Sequence, residues 1–294
     1  MRKPRGLALF AGLLAFVLAR GAHAYCRTTT SPIPAGYDPT ATGCITTGAF
    51  LSWPQMPVTY QLEMEASKQV SLAEATPIFE RSFAKWAAVS CLGEDAPHPP
   101  ALSFQDLGPT DAGYSACEAG PCGYDAQSAP HVIIFRDKSW PYNDPSNTLA
   151  LTTVTFGEDT GHIYAADMEI NSFGHTIATS VPPPAGAYSL EAIATHEAGH
   201  FVGMAHSQID TAVMFARYQP AAVTLTQDDI DGICAIYPQE PPTQPSGGCA
   251  IAPTRSRASS GDGVTVLLVL LSTIVLLGPG SRRAGRHRGA RLKA

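Results

Sequence analysis

Apolar positions along the chain recur with two distinct periods. Val58 to Glu63, VTYQLE, alternates apolar and polar residues, the period of a half-buried strand. Ile78, Phe79, Phe83 and Trp86 then return at helical spacing. That helix starts either at Ser71, which forms a capping box with Glu74, or at Thr76-Pro77, an equally good opening. Its aromatics predict core packing rather than a cofactor box. His131 to Phe135, HVIIF, reads as a buried strand, and Leu149 to Phe156, LALTTVTF, as another of β-branched character. Gly161 to Asn171, GHIYAADMEIN, continues the sheet after a glycine-containing turn, and three prolines at 182–184 close this half. Ser189 is placed to cap a second helix with Glu191 in its first turn. Leu225 to Pro238, LTQDDIDGICAIYP, predicts a C-terminal helix, with Thr226 and Asp229 at capping-box spacing, Ile230 and Ile233 facing inward and Pro238 as the stop. Strands followed by helices predict an α+β fold: a mostly twisted mixed sheet packed on two helices, with a third at the C-terminal end.

Both ends of the 294-residue sequence have another character. Arg2, Lys3 and Arg5 precede the apolar run Leu7 to Ala19, and Ala22-His23-Ala24 supplies small residues for cleavage, so residues 1–24 are expected to be a signal peptide. Residues 25–49, rich in Thr, Pro and Gly, predict an extended arm. Residues 50–238 are long enough for one domain with a substantial core and contain no internal repeat. Residues 239–263 form a Pro, Ser and Gly linker containing Gly247-Gly248-Cys249. In residues 264–294 an apolar segment, Val264 to Leu277, is followed by Gly-Pro-Gly and six basic residues. As a helix that segment would span about 21 Å, short of a hydrocarbon core of roughly 30 Å. The order Gly-Cys, hydrophobic segment, arginine cluster resembles the C-terminal sorting signals of exported myxobacterial proteins. That resemblance implies processing near Cys249 and cell-surface attachment; a plain C-terminal membrane anchor is the alternative.

Removing the tails changes the charge. Tyr25 to Ala250 holds 7 Lys or Arg against 24 Asp or Glu, formally −17. No basic stripe remains to neutralise phosphates, so nucleic acid is not an expected partner. Seven cysteines are present, and with Cys249 assigned to the tail an even six remain, which in an exported chain predicts disulfides. Fifteen pairings exist for six cysteines. Locality favours Cys26 with Cys44 and Cys117 with Cys122, which leaves Cys91 with Cys234.

The candidate chemistry lies in THEAGHFVGMAH, Thr195 to His206. His196 and His200 stand four apart, so on a helix both imidazoles reach one ion. Glu197 falls beside the open face of such an ion, where a carboxylate serves as general base. A continuing helix would carry His206 about 9 Å along the axis from His200, out of reach. Gly203 removes the difficulty, because glycine adopts the left-handed conformation that ends a helix and turns the chain back. His23, His98, His131, His162 and His175 share no ligand spacing. A lone H-E-x-x-H is weak; five specified positions together are strong.

With H-E-x-x-H-x-x-G-x-x-H in place, the chain resembles the metzincin zinc endopeptidases and, within them, the matrixins. Ser207 after the third histidine is matrixin-like. Met214 in AVMFARY is similar to the family's Met-turn, a methionine beneath the metal that is not a ligand, and Tyr218 to the wall of the S1′ pocket. The resemblance covers about Phe50 to Pro238. It implies a metzincin-like catalytic domain built on an active-site helix, with one catalytic Zn²⁺ on His196, His200 and His206. It implies peptide-bond hydrolysis in extracellular proteins by an activated water, with Glu197 as base. Substrate would align antiparallel to the strand 149–156. No propeptide domain is expected after Ala24, a second structural zinc is not evident around Leu149 to Asp167, and scattered carboxylates give no recognisable calcium site. A monomer acting on protein or peptide substrate, exported and attached to the envelope membrane through its tail, is the expectation. The rival is a non-catalytic cell-surface binding or adhesion protein that keeps zinc for stability.

Overall fold

The computed structural model describes residues 24–34, 36–93, 96–112, 130–142 and 144–239, together with the backbone of Val269–Leu271. The expected signal peptide up to residue 23, Cys117 and Cys122 with their expected pairing, Cys249 and most of the tail lie outside these residues. Among the described residues no helix is long and apolar enough to cross a membrane.

Short β1 (Cys26–Arg27) and α1 (Pro39–Thr42) belong to the N-terminal arm, and β2 follows at Val58–Leu62. The predicted alternation holds in β2, where Val58, Tyr60 and Leu62 are buried and Thr59 and Gln61 half-buried. The long helix α2 (Leu72–Ala87) begins at the Ser71 capping box: Glu74 accepts from Ser71 N at 3.1 Å and from its Oγ at 2.6 Å. Pro77 therefore sits inside the helix rather than opening it. β3 (Phe104–Asp106), β4 (Val132–Phe135), β5 (Ala150–Phe156) and β6 (Ile163–Ile170) complete the main run of strands. After the small parallel pair β7 (Thr176–Ala178) and β8 (Ala187–Ser189) come α3 (Leu190–Phe201), β9 (Met204–Ala205), α4 (Gln227–Ile236) and β10 (Val269–Leu271).

The main sheet has the order β10-β5-β6-β4-β2-β3. β3, β2, β4 and β6 run parallel to their neighbours, whereas β5 pairs antiparallel with β6 and β10 antiparallel with β5. The fold is α+β with a mixed sheet, as the order of elements predicts. One expectation changes. The outer side of β5, foreseen as an edge for an incoming peptide, is paired here with Val269–Leu271 opposite Val154, Thr153 and Thr152. Apolar residues from a segment distant in sequence satisfy an edge strand as readily as a peptide would.

Aromatic packing fixes α2 on the sheet and against α3. Phe83 stacks on Tyr60 at 4.4 Å between ring centroids and meets Phe201 edge-on at 5.2 Å, while Phe79 meets Phe135 at 6.2 Å. Trp86, fully buried, donates its indole N–H to the carbonyl of Thr195 at 2.9 Å, which gives that polar handle a partner in the core. In α4 the inward position expected for Ile230 goes instead to Asp229, which is fully buried, while Ile230 is half-buried. The reason is electrostatic: four donors converge on the Asp229 carboxylate, from Val213 N, Met214 N, Thr226 N and Thr226 Oγ1. Disulfides join Cys26 to Cys44, as locality favours, and Cys91 to Cys234, the long-range pair that the two local pairings leave over.

Candidate metal and catalytic site

α3 carries the motif because its start and its end are both written locally. The Ser189 hydroxyl accepts from Ala192 N, and Glu191 lies at the positive end of the helix dipole. Val202 closes the last turn, and Gly203 follows with φ of +95°. A Cβ on Gly203 would sit 2.5 Å from the Leu51 carbonyl oxygen, so conformation and space both demand glycine there. From this turn β9 pairs with β1 of the arm, and Thr28 seals the junction by donating its N–H to Gly203 O at 2.8 Å and its hydroxyl to Met204 O at 2.9 Å. The arm is thus a brace for the turn rather than a loose leader.

The turn brings His206 back to the helix. The three imidazole centroids lie 4.8, 5.2 and 5.0 Å apart, a nearly equilateral triangle, and one nitrogen from each ring lies within 4.8 Å of the other two. The Nδ1 atoms of His196 and His200 face carbonyl oxygens, Val213 O at 2.7 Å and Met204 O at 2.9 Å. A carbonyl only accepts, so each Nδ1 carries the proton and each Nε2 presents a lone pair. Those two Nε2 atoms are 3.1 Å apart, and His206 Nε2 is buried with no partner. Burial holds all three rings neutral: His196 is pushed down to about 4, and His200 and His206 well below the ordinary 6.5, the neighbouring imidazoles adding to the effect only for these last two. Neutral lone pairs converging without a proton between them repel unless a cation joins them. Tetrahedral zinc with bonds of about 2.0–2.1 Å would hold such nitrogens about 3.4 Å apart. The donor set fits that ion.

Glu197 projects from the same turn and is fully buried. Its Oε2 accepts from the Thr152 hydroxyl of β5 at 2.6 Å, while Oε1 is buried with no partner. Burial pushes its pKa up to about 8, and the Thr152 hydrogen bond works the other way. Met214 is fully buried and packs against Gly199 of α3, where its Sδ would lie 2.3 Å from an added Cβ. Tyr218 accepts from Ser189 N at 2.7 Å, meets the Tyr188 ring edge-on at 5.0 Å, and with Ala192, His196, Val213 and Ala222 lines a cavity of about 10 Å³. The structure brings His196, His200 and His206 together, with Gly203 at the turn that returns the third ring, Met214 against Gly199 of the same helix, and Tyr218 beside His196 in the cavity lining.

Residues 130–238 match the matrixin family model. This segment is matrixin-like. Interstitial collagenase of Sus scrofa is 52% identical over 62 residues, covering 20% of this chain and 13% of that protein. Metalloendoproteinase 1-MMP of Arabidopsis thaliana is 32% identical over 99 residues, 31% of this chain and 27% of its own length. Metalloendoproteinase 1 of Glycine max is 44% identical over 57 residues, 19% of each. The chain spans about a quarter or less of these relatives. The match to the matrixin model and the histidine triangle together support a zinc-dependent site.

Three residues of this candidate site escape a reading of the sequence. Thr152 resembles any β-branched strand former. Gly199 resembles filler in the motif, although its missing Cβ is what admits the Met214 thioether and the Trp86 ring. Asp229 announces only a capping box, yet through Val213 N it also holds the backbone segment whose carbonyl orients His196.

Proposed function

We propose that this chain is an exported zinc-dependent endopeptidase. The observation that carries the reading is the convergence of one nitrogen from each of three buried imidazoles within 4.8 Å of one another, together with a buried glutamate in the same helix that has one oxygen unpartnered. His196, His200 and His206 would hold the ion, which when bound supplies a Lewis acid that polarises a peptide carbonyl and makes a nearby water more acidic. Glu197 Oε1 then takes the water's proton and returns it to the leaving amine. Val213 O and Met204 O fix the ligand rings so that the site is formed before substrate arrives. Met214 serves as a packing floor, not a ligand. Tyr218 walls the space for the side chain after the scissile bond. A peptide that adds to β5 by main-chain hydrogen bonds takes the place of Val269–Leu271.

Export is supported by the signal-like residues 1–24 and by two disulfides, which persist in oxidising compartments. We assign residues 25–49 to the arm, 50–238 to the catalytic domain, 239–263 to the linker and 264–294 to a sorting signal or anchor that brings the protein to the envelope surface as a monomer. Mass spectrometry of the native protein tests the tail, since an intact Lys293 end rules out sorting cleavage.

The activity is tested with the full chain, loaded with zinc and incubated with a mixed peptide library with and without a chelator. Cleavage that vanishes with chelation and with Glu197→Ala, while the variant still binds zinc stoichiometrically, supports the endopeptidase. Stoichiometric zinc with no cleavage in the unaltered protein overturns it in favour of a non-catalytic zinc protein.

A further inference from the structure

Outside the histidine triangle, Glu197 has one side-chain partner among the described residues, the Thr152 hydroxyl of β5. Both residues are fully buried. The single hydroxyl proton goes to Glu197 Oε2 at 2.6 Å rather than to the Glu197 main-chain oxygen at 3.3 Å, and the bond is charge-assisted whenever Glu197 is ionised, the form that acts as a base. Threonine is branched at Cβ and stiff about χ1, and Thr152 is held in register opposite Met168 of β6, so its oxygen is a fixed point. Anchoring Oε2 there restricts rotation of the carboxylate and leaves Oε1 as the oxygen free for proton transfer. Thr153, next along β5, provides a contrast. It points to the opposite face of the sheet, and its hydroxyl is buried with no partner.

We propose that Thr152 is a positioning residue for the general base: it pins one oxygen of Glu197 from the strand on which substrate lies, so that the other is presented at a fixed angle to the reacting water. The assignment rests on the endopeptidase reading of the same site. A purely structural role, in which Thr152 merely satisfies a buried carboxylate, would alter stability without a selective loss of turnover.

The test compares the zinc-loaded full chain with Thr152→Val, Thr152→Ser and Thr153→Val. Misplacing a catalytic group by a fraction of an ångström to an ångström costs up to about a hundredfold in rate. Thr152→Val is therefore expected to lower kcat about 10- to 100-fold with KM within about twofold, Thr152→Ser to restore most of kcat, and Thr153→Val to leave both unchanged. A second readout needs no turnover: the carboxyl and carboxylate stretching bands of the metal-free protein should shift in Thr152→Val and return in Thr152→Ser, with zinc stoichiometry equal in all four proteins. A Thr152→Val enzyme that keeps kcat within twofold overturns the proposal. So does a serine variant as slow as the valine variant, or equal losses of kcat at Thr152 and Thr153. If the unaltered protein binds zinc but cleaves nothing, the endopeptidase reading fails and the catalytic role of Thr152 with it. An unshifted carboxylate band in Thr152→Val would instead refute the hydrogen bond itself.

Discussion

Gly203 carries the most consequence per atom. Its φ of +95° is a conformation that side chains with a Cβ rarely adopt, and the added carbon would stand 2.5 Å from a backbone oxygen, which unlike a side chain cannot swing aside. Gly203→Ala is expected to cost about 3 kcal/mol of metal-free stability and to weaken zinc binding more than tenfold, because His206 follows the turn. Thermal unfolding and zinc competition with a chelator measure the two effects; unaltered zinc affinity would show that the turn does not place the third ligand. Gly199→Ala is a separate case, where a Cβ at 2.3 Å from the flexible Met214 Sδ over-packs the floor and should cost about 1–3 kcal/mol. The sequence makes the first glycine legible, since no straight helix can deliver a histidine six residues on. It hides the second, because nothing in a motif reveals which side chain will cross beneath it. Thr152 is hidden for a related reason: its partner lies 45 residues away, and a threonine in a strand already has a sufficient local explanation.

At the scale of elements, the helix that carries the candidate site is held by its neighbours more than by its own propensity. Glu191 binds Lys85 Nζ at 2.6 Å and Arg81 at 2.8 Å, which ties the first turn of α3 to the last turns of α2. Burial alone would raise the Glu191 pKa, but the hydrogen bonds and charges of Lys85 and Arg81 outweigh it and hold the carboxyl below its ordinary 4.5. A depressed folded-state pKa adds stability above the unfolded value, and this is lost as pH falls through the folded one. Glu191→Gln should therefore be less stable than the unaltered protein above about pH 5, by no more than about 1 kcal/mol since the pair is partly exposed and screened by salt. The difference should shrink to nothing in stronger acid. Denaturant titrations at several pH values check this, and a gap that persists in acid would point to packing rather than charge. Capping boxes, strand alternation and the order of elements were readable from the sequence because each depends on neighbours within about four residues. The convergence of Asp229 on Val213 and Met214 was not, because it joins α4 to a loop some fifteen residues earlier.

Over the whole molecule, the two disulfides make different demands. Cys91–Cys234 spans 143 residues and Cys26–Cys44 spans 18, so chain entropy gives about 5 and about 3 kcal/mol respectively. Replacing the first pair by serine should lower Tm more. Replacing the second should weaken zinc binding more, since it loosens the arm that braces Gly203 and Met204. A Tm ranking in the reverse order would show that the long loop is already restrained in the unfolded chain. The last interaction at this scale is the pairing of Val269–Leu271 with β5, across the same backbone groups that a peptide would use and beside the strand position that holds Thr152. Two strands cannot occupy one edge, so on the proposed reading a peptide would bind only by displacing this segment. Displacement adds a cost to association and none to the chemical step once the peptide is seated. A chain ending at Pro238 should accordingly cleave peptides with a lower KM than the full chain and an unchanged kcat. Steady-state kinetics of the two forms with one peptide decide it. Equal KM values would mean that the segment leaves β5 in solution, and a lower kcat in the shorter chain would mean that it supports the site rather than blocking it.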